Sequence, residues 1–223
     1  TTTIISFSND EEARKNFNPY TSGFVSIPYG DADALAKVLH DNADNICGFL
    51  VEPIQGEAGV NVPPDGYLSA CKQLCKDNNV LFIADEIQTG IARTGKMLAI
   101  DYENVKADIL ILGKALSGGA YPVSAVLADD DVMNVIQPGQ HGSTYGGNPL
   151  ACAIAREALQ VVLDEKLQEN AFELGEFFRA EITKLVDNFS ILKSVRGKGL
   201  LNALLINDCL LYTSDAADDS LRV

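Results

Sequence analysis

The chain has 223 residues, 47% of them apolar and 22% charged, with a formal net charge of -14. That length allows one large α/β domain, or one domain and part of another, with a core that needs no staples. No run of eighteen or more apolar residues occurs, which excludes a helical membrane span, and the acidic balance works against any surface that must neutralise nucleic-acid phosphates.

Residues 1–30, rich in Asn, Ser, Thr, Tyr and Pro, show little periodicity and are expected to form extended loop surface. Residues 31–40 form a short helix. The compact apolar run ICGFLVEP (46–53) reads as a strand buried on both faces. A helix over 66–77 follows Pro63, Pro64 and Asp65, then a second buried strand, VLFIADE (80–86). After an irregular stretch come DILILGK (108–114) and PVSAVLA (122–128), a third strand and a fourth. Strands alternating with helices imply a mostly parallel sheet with helices on its faces.

Helices then dominate, over 148–164 and 167–186, before a strand pair at 191–195 and 199–206. That change of rhythm predicts a domain boundary near Glu165, with residues 1–165 in one domain and 166–208 opening a smaller one. Residues 209–223 lose the pattern, resemble translated adapter sequence, and are expected to be a non-native or disordered tail.

Cys47, Cys71, Cys75, Cys152 and Cys209 are odd in number and scattered, so a reduced setting without disulfides is expected. Cys71 and Cys75 sit one helical turn apart, but neither histidine, His40 nor His141, has metal-ligand spacing to that pair, so it reads as small buried apolar side chains and no metal site is expected. Residues 1–10 carry no targeting pattern and no initiator Met, so the chain reads as the interior of something longer. An intracellular setting, mitochondrial matrix or cytoplasm, is expected, with the choice left open.

In an open parallel sheet the ligand crevice lies outside the carboxyl ends of the strands, and each apolar strand here ends in a charge. Glu52 closes the first, Asp85 and Glu86 the second and Lys114 the third. A lone lysine there suits a nucleophilic amine, because a desolvated amine gives up its proton more readily; it equally describes a solvated loop lysine. Gly113, Gly118 and Gly119 around it permit close approach of a flat ligand. The pair Asp85-Glu86 also matches the metal-holding strand of P-loop nucleotide hydrolases. That reading fails because Gly113-Lys114 is followed by Ala115 and lacks the upstream glycine of a phosphate loop. HGSTYGGNP (141–149) sets two hydroxyls before a helix, as a turn and cap or as an anion cradle.

Five segments in order, LVEPIQGEAGV (50–60), LFIADEIQTGIARTGK (81–96), LGKALSGGAYPVSAVLADDDVM (112–133), HGSTYGGNPLA (141–151) and VRGKGLLNALLI (195–206), resemble the class III aminotransferases. The likeness runs over residues 13–206; RGKGLL by itself is a weak signal. Within the class it leans toward the ornithine-using branch, with Tyr145 and LSGGAYPVSAV (116–126) contributing.

The resemblance implies fold-type I, α/β, with part of the large domain and the start of the small one. It implies pyridoxal 5'-phosphate as cofactor, a homodimer, and transfer of the δ-amino group of ornithine to 2-oxoglutarate, giving glutamate semialdehyde and glutamate. Lys114 falls on the residue that carries the cofactor and shuttles a proton, Asp85 on the partner of the ring nitrogen, and Gln88 on the partner of the ring hydroxyl. Ser143 and Thr144 fall on a segment reaching the cofactor phosphate of the neighbouring subunit. Glu52 and Glu57 fall on an acidic pair that engages an arginine and sorts substrates.

The family's phosphate cup, ring-stacking aromatic and α-carboxylate arginine fall before Thr1, and the arginine of the acidic pair falls after Ile206. This polypeptide alone is therefore expected neither to dimerise as the family does nor to turn over substrate. The alternatives are an acetylornithine or other ω-amino-acid aminotransferase, or a non-catalytic remnant that inherited the motifs.

Overall fold

The computed structural model describes residues 2–8, 10–42 and 45–207. The tail expected to be disordered, with Cys209, lies outside the described residues. Strands β1 (Gly48–Val51), β2 (Leu81–Asp85), β3 (Ile109–Leu112) and β4 (Ala125–Ala128) form one sheet in that order. The first three run parallel, and β4 returns antiparallel to β3. Between β3 and β4 only a single-turn 3-10 helix (Lys114–Ser117) intervenes, too little for a crossover helix, so the chain doubles back. The α/β class and the mostly parallel sheet are as the alternating pattern implies.

Helices α3 (Ala32–Asn42) and α4 (Tyr67–Asp77) pack on one face of this sheet. Alternation along β2 sends Phe82 and Ala84 into that layer, where they meet Leu35, Leu39, Leu68, Cys71 and Cys75. Burying a side chain the size of Phe82 contributes about 2–3 kcal/mol. Asp108 locks the strand starts together: one carboxylate oxygen accepts from Phe82 N–H at 2.7 Å and the other meets the Lys72 ammonium at 2.6 Å. Leu50 in β1 stays 40% exposed, contrary to a strand buried on both faces, because the second helical layer packs over Leu112 and Leu116 instead.

That layer is α6 (Pro149–Asp164), whose start combines two helix-initiating signals. Pro149 occupies the first turn, and the Asn148 side chain accepts from Ala151 N–H at 2.9 Å. After Lys166, at φ 51°, comes α7 (Leu167–Asn188), then the antiparallel pair β5 (Leu192–Lys198) and β6 (Leu201–Ile206). Gly175 lets α7 touch the β5–β6 turn, since a Cβ there would lie 2.0 Å from Gly199 O. Arg179 fastens the same contact, donating to Gly199 O at 3.0 Å and Asn202 Oδ1 at 2.7 Å.

The loop expected over residues 1–30 needs correction. The opening stretch contains α1 (Thr2–Ser6) and α2 (Glu11–Arg14), the latter capped by Asp10, which accepts from Glu12 and Ala13 N–H. Cys71 and Cys75 are fully buried within α4, as expected of that pair, while Cys47 and Cys152 are exposed. A further one-turn helix, α5 (Asp130–Met133), follows β4, and none of the described helices is long and apolar enough to cross a membrane.

Candidate active site

Parallel pairing of β2 and β3 brings their carboxyl ends to one rim. Asp85 is in register with Ile111, three residues before Lys114. Lys114 opens the 3-10 turn at φ 41°, in the left-handed region that a residue with a side chain enters at a cost. Buried Leu116 and Ser117 hold the turn, while the Lys114 side chain keeps 54% of its surface exposed. An open recess of about 400 Å³ adjoins it, lined with Lys114 by Tyr121, Pro122, Val123 and Ser124. A second recess, about 360 Å³, is lined by none of Glu52, Glu57, Asp85 or Lys114.

One carboxylate pairs with the lysine, and two more stand at the same rim. Glu57 Oε1 lies 3.6 Å from Lys114 Nζ and also accepts from Gln88 Nε2 at 3.0 Å. Asp85 Oδ1 accepts from Ile87 N–H at 3.0 Å, and its other oxygen has no protein partner among the described residues. Glu52 Oε2 accepts from Gly56 N–H at 3.2 Å. Burial pushes the Glu52 carboxyl above the ordinary glutamate range; the Gly56 N–H works against this, Asp85 and Glu57 add to it, and Lys114 opposes it. So sited, the cluster favours cations and tolerates proton uptake at Glu52.

Glu86 does not join them. It is fully buried and accepts from the Thr89 hydroxyl and from Ile100 N–H at 2.9 Å, which ties the loop after β2 to the 3-10 helix Ala99–Glu103. Of the adjacent pair, only Asp85 faces the rim. Ser143 and Thr144 are exposed in the turn before α6. Ser143 Oγ accepts from Gly146 N–H at 3.0 Å, and neither residue makes a hydrogen bond or ion pair to Lys114, Asp85, Gln88, Glu52 or Glu57.

Two contributors to this geometry escaped the sequence reading. Gly56 provides the seat of Gln88: a Cβ there would fall 1.6 Å from the Gln88 amide oxygen. A glycine between Glu52 and Glu57 was the available signal. Arg196, in β5, donates from Nε to Gly59 O at 2.8 Å and so reaches the loop that carries Glu57.

The family model described as Aminotransferase class-III matches residues 1–211 of the 223. The chain belongs to the class III aminotransferases. Among individual members of that class, the ornithine aminotransferase, mitochondrial, of Drosophila melanogaster is 58% identical over 207 residues, covering 93% of this chain and 47% of that protein. A solved ornithine aminotransferase from Toxoplasma gondii, with partial occupancy of PLP at the protein active site, superposes with TM-score 0.93 at 50% identity over 96% of this chain and 50% of its own. An acetylornithine aminotransferase from Elizabethkingia anophelis is 65% identical, TM-score 0.83, over 84% of this chain and 49% of its own. The chain thus spans about half the length of the class III aminotransferases it matches.

Proposed function

We propose that this chain supplies the lysine-bearing half of a pyridoxal 5'-phosphate-dependent aminotransferase that moves the δ-amino group of ornithine to 2-oxoglutarate, giving glutamate semialdehyde and glutamate. Residues 1–165 belong on this reading to the large cofactor-binding domain and 166–208 begin the small one. The observation that carries it is Lys114, held at a strained φ on the strand-end rim, with Asp85 on the adjacent strand and Gln88 on the loop after it.

The residues present fit the cofactor. An exposed primary amine borders an open recess, and a carboxylate oxygen without a protein partner is available to a protonated ring nitrogen. Bound there, pyridoxal 5'-phosphate supplies an aldehyde and an electron-accepting ring. Lys114 Nζ would hold it and would move a proton at the substrate carbon. Asp85 would supply the negative charge that keeps a ring nitrogen protonated, and Gln88 would supply a hydrogen-bonding amide for a ring hydroxyl. Glu52 and Glu57, next to the lysine, act on substrate charge: their carboxylates attract the terminal ammonium of a diamino acid and repel the side-chain carboxylate of a dicarboxylate. Ser143 and Thr144, exposed and tied to no residue of the cluster, suit a reach toward the cofactor phosphate of a second subunit in a homodimer. An intracellular setting accords with relatives named mitochondrial.

The test uses the full-length enzyme. Lys114→Ala should lose the cofactor that borohydride fixes to the peptide containing residue 114 and lower turnover by roughly a thousandfold or more. Fixation at another lysine, or near-normal turnover, would overturn the assignment. A second reading, acetylornithine as amino donor, is favoured by the 65% identity to the Elizabethkingia anophelis enzyme. Ornithine, acetylornithine and 4-aminobutyrate compared side by side by kcat/KM decide between them.

A further inference from the structure

Arg196, the first residue of the RGKG segment, reaches across to the loop that carries Glu57. The loop 55–61 is closed by the Gln55–Asn61 bridge and by Gly59 and Val60 N–H groups that both donate to Gly56 O, leaving Glu57 at its tip. Val60 is buried with φ 56°, a conformation costly for a β-branched residue, and Gly59 beside it has φ 93°. Rotation of the 59–60 peptide would relieve Val60. The carbonyl of that same peptide, Gly59 O, is the atom to which Arg196 donates at 2.8 Å.

Arg196 itself stands on an anchored strand. Leu200 N–H donates to Arg93 O at 3.0 Å, and the Lys198 ammonium lies 4.4 Å from the centre of the Tyr102 ring, whose hydroxyl donates to Thr94 O at 2.7 Å. One end of the tether is therefore fixed to the loop after β2 and the other to the strained peptide.

We propose that Arg196 is a positioning residue for substrate discrimination: its bond to Gly59 O holds the strained 59–60 peptide and keeps Glu57 within reach of Gln88 and Lys114. This rests on the reading of Glu57 as a substrate-sorting carboxylate. Loss of the bond lets the peptide rotate and withdraws Glu57 from Gln88 and Lys114, so the preference for a cationic diamino acid over a dicarboxylate falls while the backbone positions of Lys114 and Asp85 stay as they are.

The experiment compares Arg196→Gln, Arg196→Lys, Glu57→Gln and the double variant Arg196→Gln/Glu57→Gln in the full-length holoenzyme, by amide hydrogen exchange and by half-reaction kinetics with ornithine and with glutamate. In Arg196→Gln the amides of 56–60 should exchange at least about tenfold faster while those of α4 and β2 are unchanged. The ornithine-to-glutamate ratio of kcat/KM should fall roughly fivefold to tenfold, and by less than about twofold when Glu57→Gln is already present. Arg196→Lys, which keeps a donor, should fall between. Unchanged exchange in 56–60, or a discrimination loss that multiplies with that of Glu57→Gln, overturns the proposal. If Glu57→Gln alone leaves discrimination unchanged, the sorting role of Glu57 fails, and with it the discrimination claim for Arg196; the exchange result still shows whether Arg196 holds the loop.

Discussion

Gln88 and Glu57, 31 positions apart in the chain, are joined by a hydrogen bond from Nε2 to Oε1 of 3.0 Å. The bond links the loop after β2 to the acidic loop after β1 and sets Glu57 Oε1 3.6 Å from Lys114 Nζ. One amide thus aligns the tip carboxylate with the lysine.

Gly56→Ala tests that alignment. The new Cβ would fall 1.6 Å from the Gln88 amide oxygen and 2.5 Å from its Cδ, so the side chain must swing away and release Glu57. Because the displaced atoms belong to the far end of a flexible side chain, stability should drop by no more than about 1 kcal/mol in urea unfolding. Activity of the full-length enzyme should fall by about tenfold. Full activity in a stably folded Gly56→Ala enzyme would mean that Gln88 need not hold Glu57.

Glu86 predicts a pH dependence with a definite sign. Burial raises its carboxyl above the ordinary glutamate range, with Thr89 and the backbone N–H groups of Ile100 and Ala99 opposing the shift. Between the unfolded and the raised folded value the native state holds a proton that the unfolded chain has released. Stability contributed by this group is therefore complete below the ordinary glutamate range and is lost as pH rises through the raised value. Chemical unfolding across mildly acidic pH should show that slope, and Glu86→Gln should flatten it; an identical slope in the variant would assign it to other groups.

The thiols should separate by accessibility. Burial pushes Cys71 up to about 11 and Cys75 up to about 12, and both are fully enclosed, whereas Cys47 and Cys152 are exposed. Alkylation of the native chain followed by peptide mapping should label Cys47 and Cys152 on mixing and Cys71 and Cys75 only in denaturant. Prompt labelling of Cys71 would contradict the packing of α4 on the sheet.

Much of this architecture could be read in advance, for local reasons. Apolar runs ended by charges placed β1, β2 and β3 within a residue or two, and α6 was expected over 148–164, although the cap falls to Asn148 rather than to the hydroxyls of Ser143 and Thr144. Helices α1 and α2 were missed, since four or five residues give too short a stretch for a 3.6-residue period to show. The opposite fates of Asp85 and Glu86 were available in principle, because neighbouring strand residues face opposite ways. The Glu57–Gln88 and Arg196–Gly59 bonds follow from no spacing rule; they exist only once separate elements have packed.

The Arg196–Gly59 bond also imposes an order in time. Its partners are 137 residues apart, so at about 5–20 residues per second the acidic loop leaves the ribosome roughly 7–27 s before its tether is made. Throughout that interval the strained 59–60 peptide has no Arg196 to restrain it, so the seat of Glu57 is completed only after residue 196 has been made.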